Sequence, residues 1–258
     1  MIMKPYEITI LEEAERCLLC YDAPCTKVCP AKSDPAAFIQ AIRMDNRRAG
    51  AKQALENNPL GSVCAMLCTA ERYCEKVCIR GKIDRPVDIS MLHTYITHQA
   101  CVWGEFPKPR REPTGLQIAV LGANIAALSA AAALALDGVQ VTIFASGFLW
   151  SADILKQLAE TGGDRDVLND GMNILVELGI HLLSVEDARA QIKAGALSNF
   201  KAVIVASKEA AQEFGVSSVM PGVFPSGDLV DGPDDAAFSV RKGRLSAQRA
   251  QTFAGGKT

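Results

Sequence analysis

Nothing restricts the fold of this chain more than its cysteines. Eight of the nine lie between Cys17 and Cys78, the ninth is Cys101, and none follows it. They form two groups: "CLLCYDAPCTKVCP" with Cys17, Cys20, Cys25 and Cys29, and "CAMLCTAERYCEKVC" with Cys64, Cys68, Cys74 and Cys78. Such density suits a secreted disulfide scaffold or a metal site. The N-terminal "MIMKPYEITILEEAER" has no apolar core followed by a small-residue cleavage site, so it does not read as an export signal. The chain therefore reads as cytoplasmic, and its clustered thiols as metal ligands. Soft thiolates suit iron–sulfur clusters. A tight turn brings Cys17, Cys20 and Cys25 around one cube, while Cys29, followed by Pro30, points away toward a second. Two structural zinc ions would also take eight thiolates. Zinc sites usually pair two CxxC knuckles, however, and only Cys17–Cys20 has that spacing.

The sequence around these groups reads as helical up to about Gly104. "ITILEEAERCLL" predicts a short amphipathic helix leading into the first cysteines. "SDPAAFIQAIRMDNRR" predicts a second, with Asp34 as N-cap, Pro35 at the first helical position and Phe38, Ile39 and Ile42 as an apolar stripe. "PVDISMLHTYITHQACVW" predicts a third, capped by Asp88, with Ile89, Leu92, His93 and Ile96 on one face. "GEFPKPRREPTG" then reads as a linker, from its prolines and mixed charge. Beyond it the pattern changes. "LQIAVLG" and "VQVTIFA" are β-branched runs around an Ala-rich helix, "GIHLLSV" and "FKAVIVAS" read as later strands, and "DVLNDGMNILVEL" as a helix. That alternation predicts parallel strands. Hydrophobic residues make up 49% of the chain, enough for a real core, and a net charge of −2 gives no reason to expect nucleic acid as a partner. The longest apolar stretch, Ile125 to Leu136, is too short for a membrane span.

Both cysteine groups, the "NPLGSVCAMLC" between them and the helix after them resemble the N-terminal iron–sulfur domain shared by dihydropyrimidine dehydrogenase, the glutamate synthase small subunit and related flavoprotein oxidoreductases. The resemblance implies a helical domain with two 4Fe-4S clusters. It implies Cys17, Cys20, Cys25 and Cys78 for one, and Cys29, Cys68 and Cys74 for the other. The family's eighth ligand is a Gln or Glu on the following helix, and His93 stands in its place here. Imidazole is a competent iron ligand, and a neutral nitrogen there should raise the cluster potential. Cys64, a non-ligand in the family, stays open as the alternative fourth donor. Cys101 reads as a plain buried thiol, and His98 and His181 lack the inward placement of His93.

"IAVLGANIAALSAAAALALDGVQVTIFAS" has the outline of a nucleotide-binding strand–turn–helix–strand. A GxGxxG turn needs its second glycine for close approach of the pyrophosphate and its third for helix–strand packing. Here Gly122 is kept, Asn124 replaces the second and Ala127 the third. Relatives carry an acid at the end of the second strand, where this chain has Ala145 and Ser146. "GVFPSGDLVDGPDDAAFSVRKGRLSAQRA" resembles the family's flavin-contacting segment, which places Gly227 and Asp228 beside an FAD. Between "AVIVAS" and Gly227, where relatives hold a whole NAD(P)H-binding domain, only about twenty residues intervene, and no second Gly-rich turn occurs.

These readings combine into an α+β two-domain chain. A helical domain with two 4Fe-4S clusters spans 1–104 and a linker 105–115. A shortened, degenerate FAD-binding-like Rossmann domain without an NAD(P)H site spans 116–258. The expected function is a non-catalytic electron-transfer subunit of a multi-subunit oxidoreductase, relaying single electrons between a larger catalytic or flavin subunit and another redox centre or ferredoxin. A small subunit with FAD at Gly122, Gly227 and Asp228 is one alternative. A structural subunit whose metals only fold the helical domain is another.

Overall fold

The computed structural model describes residues 5–145, 152–160, 165–232 and 235–256. It divides the chain into two compact units, Met1–Pro107 with Thr161–Ile174, and Lys108–Glu160 with Leu175–Thr258. The sequence reading had assigned residues 161–174 to the second domain. The first unit contains the helices α1 (Pro5–Glu15), α2 (Pro24–Val28), α3 (Pro35–Arg43), α4 (Arg47–Asn57), α5 (Gly61–Met66) and α6 (Ile89–Val102). Two expected caps are present. Asp34 accepts the Ala37 N–H at 3.2 Å to start α3, and Asp88 accepts the Met91 N–H at 2.9 Å to start α6. Phe38, Ile39 and Ile42 of α3 and Leu92 and Ile96 of α6 are buried at helical spacing. The expected single helix over 33–48 is broken, because Asp45 adopts a left-handed φ of 53° and the chain restarts as α4 at Arg47. An Ala41–Gly50 approach follows the break: a Cβ on Gly50 would press on the Ala41 methyl at 2.7 Å. The first helix stops at Glu15, freeing residues 16–23 to turn around the first cysteines.

The second unit is built on a five-stranded parallel sheet of β1 (Gln117–Leu121), β2 (Gln140–Phe144), β3 (His181–Leu183), β4 (Ala202–Val205) and β5 (Val223–Pro225). Their order is β3-β2-β1-β4-β5, so strand order reverses between β1 and β4. Between strands run α7 (Ile125–Leu136), α8 (Ala152–Glu160), α9 (Asp166–Glu177), α10 (Val185–Lys193) and α11 (Lys208–Glu213), with α12 (Ala236–Ala254) last. The residues of α9 up to Ile174 group with the first unit. Strands β1 and β4 are buried on both faces, as their unbroken apolar runs require. Ala119, Leu121, Val203 and Val205 share one core cluster with Ala188, Ala210 and Phe214. The Ala-rich α7 lets α12 approach closely: a Cβ on Gly243 would overlap the Ala126 carbonyl oxygen, and Ser129 Oγ donates to the Val240 carbonyl at 3.1 Å. Strand β5 and helix α4 were not foreseen. Strand β5 has only three residues, and α4 has no strong apolar period of its own. Among the described residues no helix is long and apolar enough to cross a membrane.

One charged network ties the start of the first unit to the segment before α6. Glu13 on α1 is only 6% exposed. Its carboxylate accepts from Arg16 (2.5 Å), from both Nη atoms of Arg85 (3.0 and 2.6 Å) and from the Asp88 N–H (2.8 Å). Arg16 also donates to Asp84 at 2.9 Å and to the carbonyls of Arg85 and Pro86. Burial alone would raise the Glu13 pKa, but these donors outweigh it and hold the carboxyl below its ordinary 4.5. A carboxyl whose pKa is depressed on folding contributes stability above its ordinary pKa, and that contribution is lost as the pH falls through the folded value. We expect Glu13→Gln to lower stability by about 2 kcal/mol at neutral pH. Urea unfolding of both proteins should show a constant difference from about pH 7 down to about pH 4.5, narrowing as the pH is lowered further. A difference independent of pH would contradict this account.

Candidate metal centre

Four thiols converge on one cavity. Cys17 follows the end of α1, with its N–H bonded to the Ala14 carbonyl at 3.1 Å. Leu19, with φ +49°, turns the chain so that Cys20 comes back toward it. Cys25 is the second residue of α2, and Cys78, the last of the second cysteine group, directly precedes the short turn Ile79–Lys82. Cys17, Cys20, Cys25 and Cys78 line this cavity together with apolar walls from Ile39, Val87 and Ile89. Burial raises the Cys17 pKa, and the neighbouring Cys78 and Cys20 add to the effect. Cys25 is pushed up to about 11, first by burial and then by Cys17 and Cys78. Crowded thiols of this kind do not ionise together unless a positive centre compensates them. That is the electrostatic condition an iron–sulfur cluster meets, so the residues fit the group.

The second set is Cys29, Cys68 and Cys74. Burial raises the Cys74 pKa strongly, with Glu75, Cys68, Cys29 and Cys25 contributing in that order. Cys25 and Cys78 line the first cavity, while Cys68, Cys29 and Cys25 all act on Cys74. The two groups adjoin, since Cys25 acts on Cys74. Among the described residues no three His, Cys, Asp or Glu side chains close around a single point as one metal ion would need. A mononuclear zinc site holds its sulfurs about 2.3 Å from the metal, much tighter than a cage around a cube.

His93 lies on α6, 6% exposed, stacked on Phe38 with ring centroids 4.9 Å apart. Burial lowers its pKa to about 4, so its imidazole is neutral at pH 7, the form that ligates metals. Its Nε2 is buried with no hydrogen-bond partner among the described residues. Helix α5 closes over that nitrogen: a Cβ on Gly61 would sit 3.1 Å from it. Burial is the whole cause of the His93 shift. The alternative donor, Cys64, is buried in α5. Cys101 is half-buried rather than fully buried, and it bonds to Asp170, which with burial pushes its thiol up to about 12. His98 Nδ1 meets the same buried Asp170 at 2.9 Å.

Several residues at these thiols gave no signal in the sequence. Glu75, beside Cys74, accepts the Ser90 N–H at 3.1 Å, and burial raises its pKa. Arg43 donates to the Cys17 carbonyl at 2.6 Å, and Arg80 lines the first cavity. Their partners are distant in sequence, so spacing could not reveal them.

The nucleotide turn is folded but used internally. Gly122, at φ +117°, ends β1. Asn124 Oδ1 accepts the Ala127 N–H at 3.0 Å, capping α7, and Nδ2 donates to the Ala206 carbonyl at 2.7 Å. The helix N–H that would face a phosphate thus already has a partner. Gly227, at φ +57°, packs against the same carbonyl, where an added Cβ would overlap the oxygen and approach Asn124 Nδ2 to 3.0 Å. The Asp228 carboxylate accepts the Lys208 N–H at 3.1 Å, and burial with Glu209 raises its pKa. Gly122, Gly227 and Asp228 therefore do gather at the ends of β1 and β4, where strand order reverses. Ala145, at the end of β2, is buried; Ser146 lies outside the described residues.

Comparison with known proteins follows the same division. Residues 2–104 match the family of dihydropyrimidine dehydrogenase domain II, 4Fe-4S cluster. The NAD-dependent dihydropyrimidine dehydrogenase subunit PreT of Escherichia coli (strain K12) is 41% identical over 135 residues, 52% of this chain and 32% of that protein. The PreT subunit of Salmonella typhimurium is 41% identical over 180 residues, 67% of this chain and 42% of that protein. The PreT homologue of Salmonella typhi is 35% identical over 180 residues, with the same coverage. The chain spans about a third to two fifths of the length of these curated relatives.

Asn124 serves both as helix cap and as a bridge to β4. Asn124→Ala should lower the urea midpoint of the second unit, by about 1–2 kcal/mol of stability, while Asn124→Ser should recover the cap and part of the loss. Equal losses in the two variants would show that the cap contributes nothing.

Proposed function

Starting from residues 2–104 as a member of the dihydropyrimidine dehydrogenase domain II iron–sulfur family, we propose that this chain is an electron-transfer subunit of a multi-subunit oxidoreductase. It relays single electrons between a catalytic or flavin-bearing subunit and another redox centre or a ferredoxin. The observation that supports the reading is the convergence of Cys17, Cys20, Cys25 and Cys78 on one cavity, with Cys68 and Cys29 acting on Cys74 beside it. When bound, 4Fe-4S clusters supply one-electron carriers whose potentials depend on ligands, nearby charge and solvent exposure.

The residues of the chain have separable tasks in this proposal. Cys17, Cys20, Cys25 and Cys78 hold the first centre. Cys29, Cys68 and Cys74 hold the second, with the neutral His93 nitrogen as its fourth donor. Ile39, Val87 and Ile89 keep water from the first group of sulfurs. The Glu13 network keeps Cys17 and Cys78 in reach of one another. The sheet unit is a Rossmann-like docking body, since the Asn124 side chain meets the turn's own donors and acceptors. The relatives named NAD-dependent are longer chains. We assign no NAD(P)H site to this one, because Gly122 lies in its single Gly-rich turn. A flavin-bearing reading has one observation in its favour, the gathering of Gly122, Gly227 and Asp228 at the strand-order reversal.

Anaerobically purified protein should be brown, carry about eight iron atoms, four per cluster, and bleach with dithionite. Cys20→Ser should lose about half the iron and one of two paramagnetic signals. His93→Ala should change only the other signal and its midpoint potential. A colourless, iron-free chain would refute the reading, and an unchanged spectrum in His93→Ala would return the fourth position to Cys64. FAD released on denaturation would establish the flavin reading instead.

A further inference from the structure

We propose that Arg80 raises the reduction potential of the centre held by Cys17, Cys20, Cys25 and Cys78, and that Asp84 limits the effect. This deepens the cluster reading and rests on it. Apart from the cysteines, Arg80 is the one charged side chain among the described residues that line the first cavity. Its guanidinium is not free to wander. Nε and Nη2 each donate to Asp84 at 2.8 Å, one to each carboxylate oxygen, and Nη1 donates to the Arg16 carbonyl at 3.4 Å. This paired fork fixes a planar cation at the mouth of the cage. Asp84 is fixed in turn by Arg16 Nη2 at 2.9 Å and by the Arg85 N–H at 2.7 Å.

The chemistry follows from charge. A thiolate-held iron–sulfur centre gains one negative charge when it accepts an electron from a reductant. A cation at its rim therefore stabilises the reduced form more than the oxidised form. The Asp84 carboxylate, bonded to the same guanidinium, offsets part of that effect. Removing the cation and removing its counter-charge should consequently move the potential in opposite directions. A pair that merely held the loop together would have no reason to do so.

The test uses the full chain, purified anaerobically. Dithionite titrations are followed by electron paramagnetic resonance, and iron and sulfide are measured for every variant. Arg80→Gln should lower the midpoint of one centre and leave the other unmoved. Asp84→Asn should raise the same midpoint, and Arg80→Lys should stay near wild type. Shifts of the same sign in Arg80→Gln and Asp84→Asn, or an unmoved midpoint in either with full iron, would overturn the proposal. If Arg80→Gln fails to load iron, the other two variants decide. Loss of iron in all three would reduce the pair to a structural role and also overturn it. Iron-free wild-type protein would instead overturn the cluster reading itself, whereas a loaded wild type with unmoved midpoints removes only Arg80.

Discussion

Thiols packed side by side out of water cannot all become thiolates unless a positive centre joins them. The helical unit is organised around that constraint. Desolvation pushes Cys17, Cys25 and Cys74 away from ionisation, and each neighbouring sulfur adds to the push. Without compensation such a group stays protonated and neutral. A bound cluster of iron and sulfide would supply the compensation and join chain segments that local helix propensity would not bring together.

The same unit brings those segments close by a second means. Cys17 and Cys78 are far apart in sequence, and closing that loop costs conformational entropy. The Glu13 carboxylate and the Arg16, Arg85 and Asp84 side chains close it through directional, charge-assisted bonds. Arg43 adds a bond to the Cys17 carbonyl from α3. Because this network contains little apolar surface, it positions the thiols without filling the cavity between them. The apolar work falls to α3 and α6, whose buried faces form the core beneath.

In the sheet unit the corresponding need is met inwardly. Helix α7 begins where a dinucleotide's phosphates would sit, and its first turn requires acceptors whether or not a ligand is present. Asn124 supplies one from its own side chain and uses its amide to hold the Ala206 carbonyl. Gly227 is required there because any side chain would collide with that carbonyl. A Gly-Asp segment can therefore persist through packing and capping, with Asp228 serving the start of α11.

The sequence by itself determined the helical and sheet halves, the two cysteine groups, the Asp34 and Asp88 caps and the strands β1 to β4. All of these depend on neighbours a few residues apart, where spacing and side-chain chemistry suffice. It also exposed the altered turn at Asn124, since a missing glycine is visible as a letter. Only the tertiary structure decided that the helix expected over 33–48 breaks at Asp45, that residues 161–174 group with the first unit, and that Asn124 reaches Ala206. It alone placed Arg43 beside the Cys17 carbonyl and Arg85 beside Glu13. The reason is that a charge or hydrogen bond acts through a few ångströms of space. Residues dozens of positions apart acquire such a neighbour only once the chain has folded.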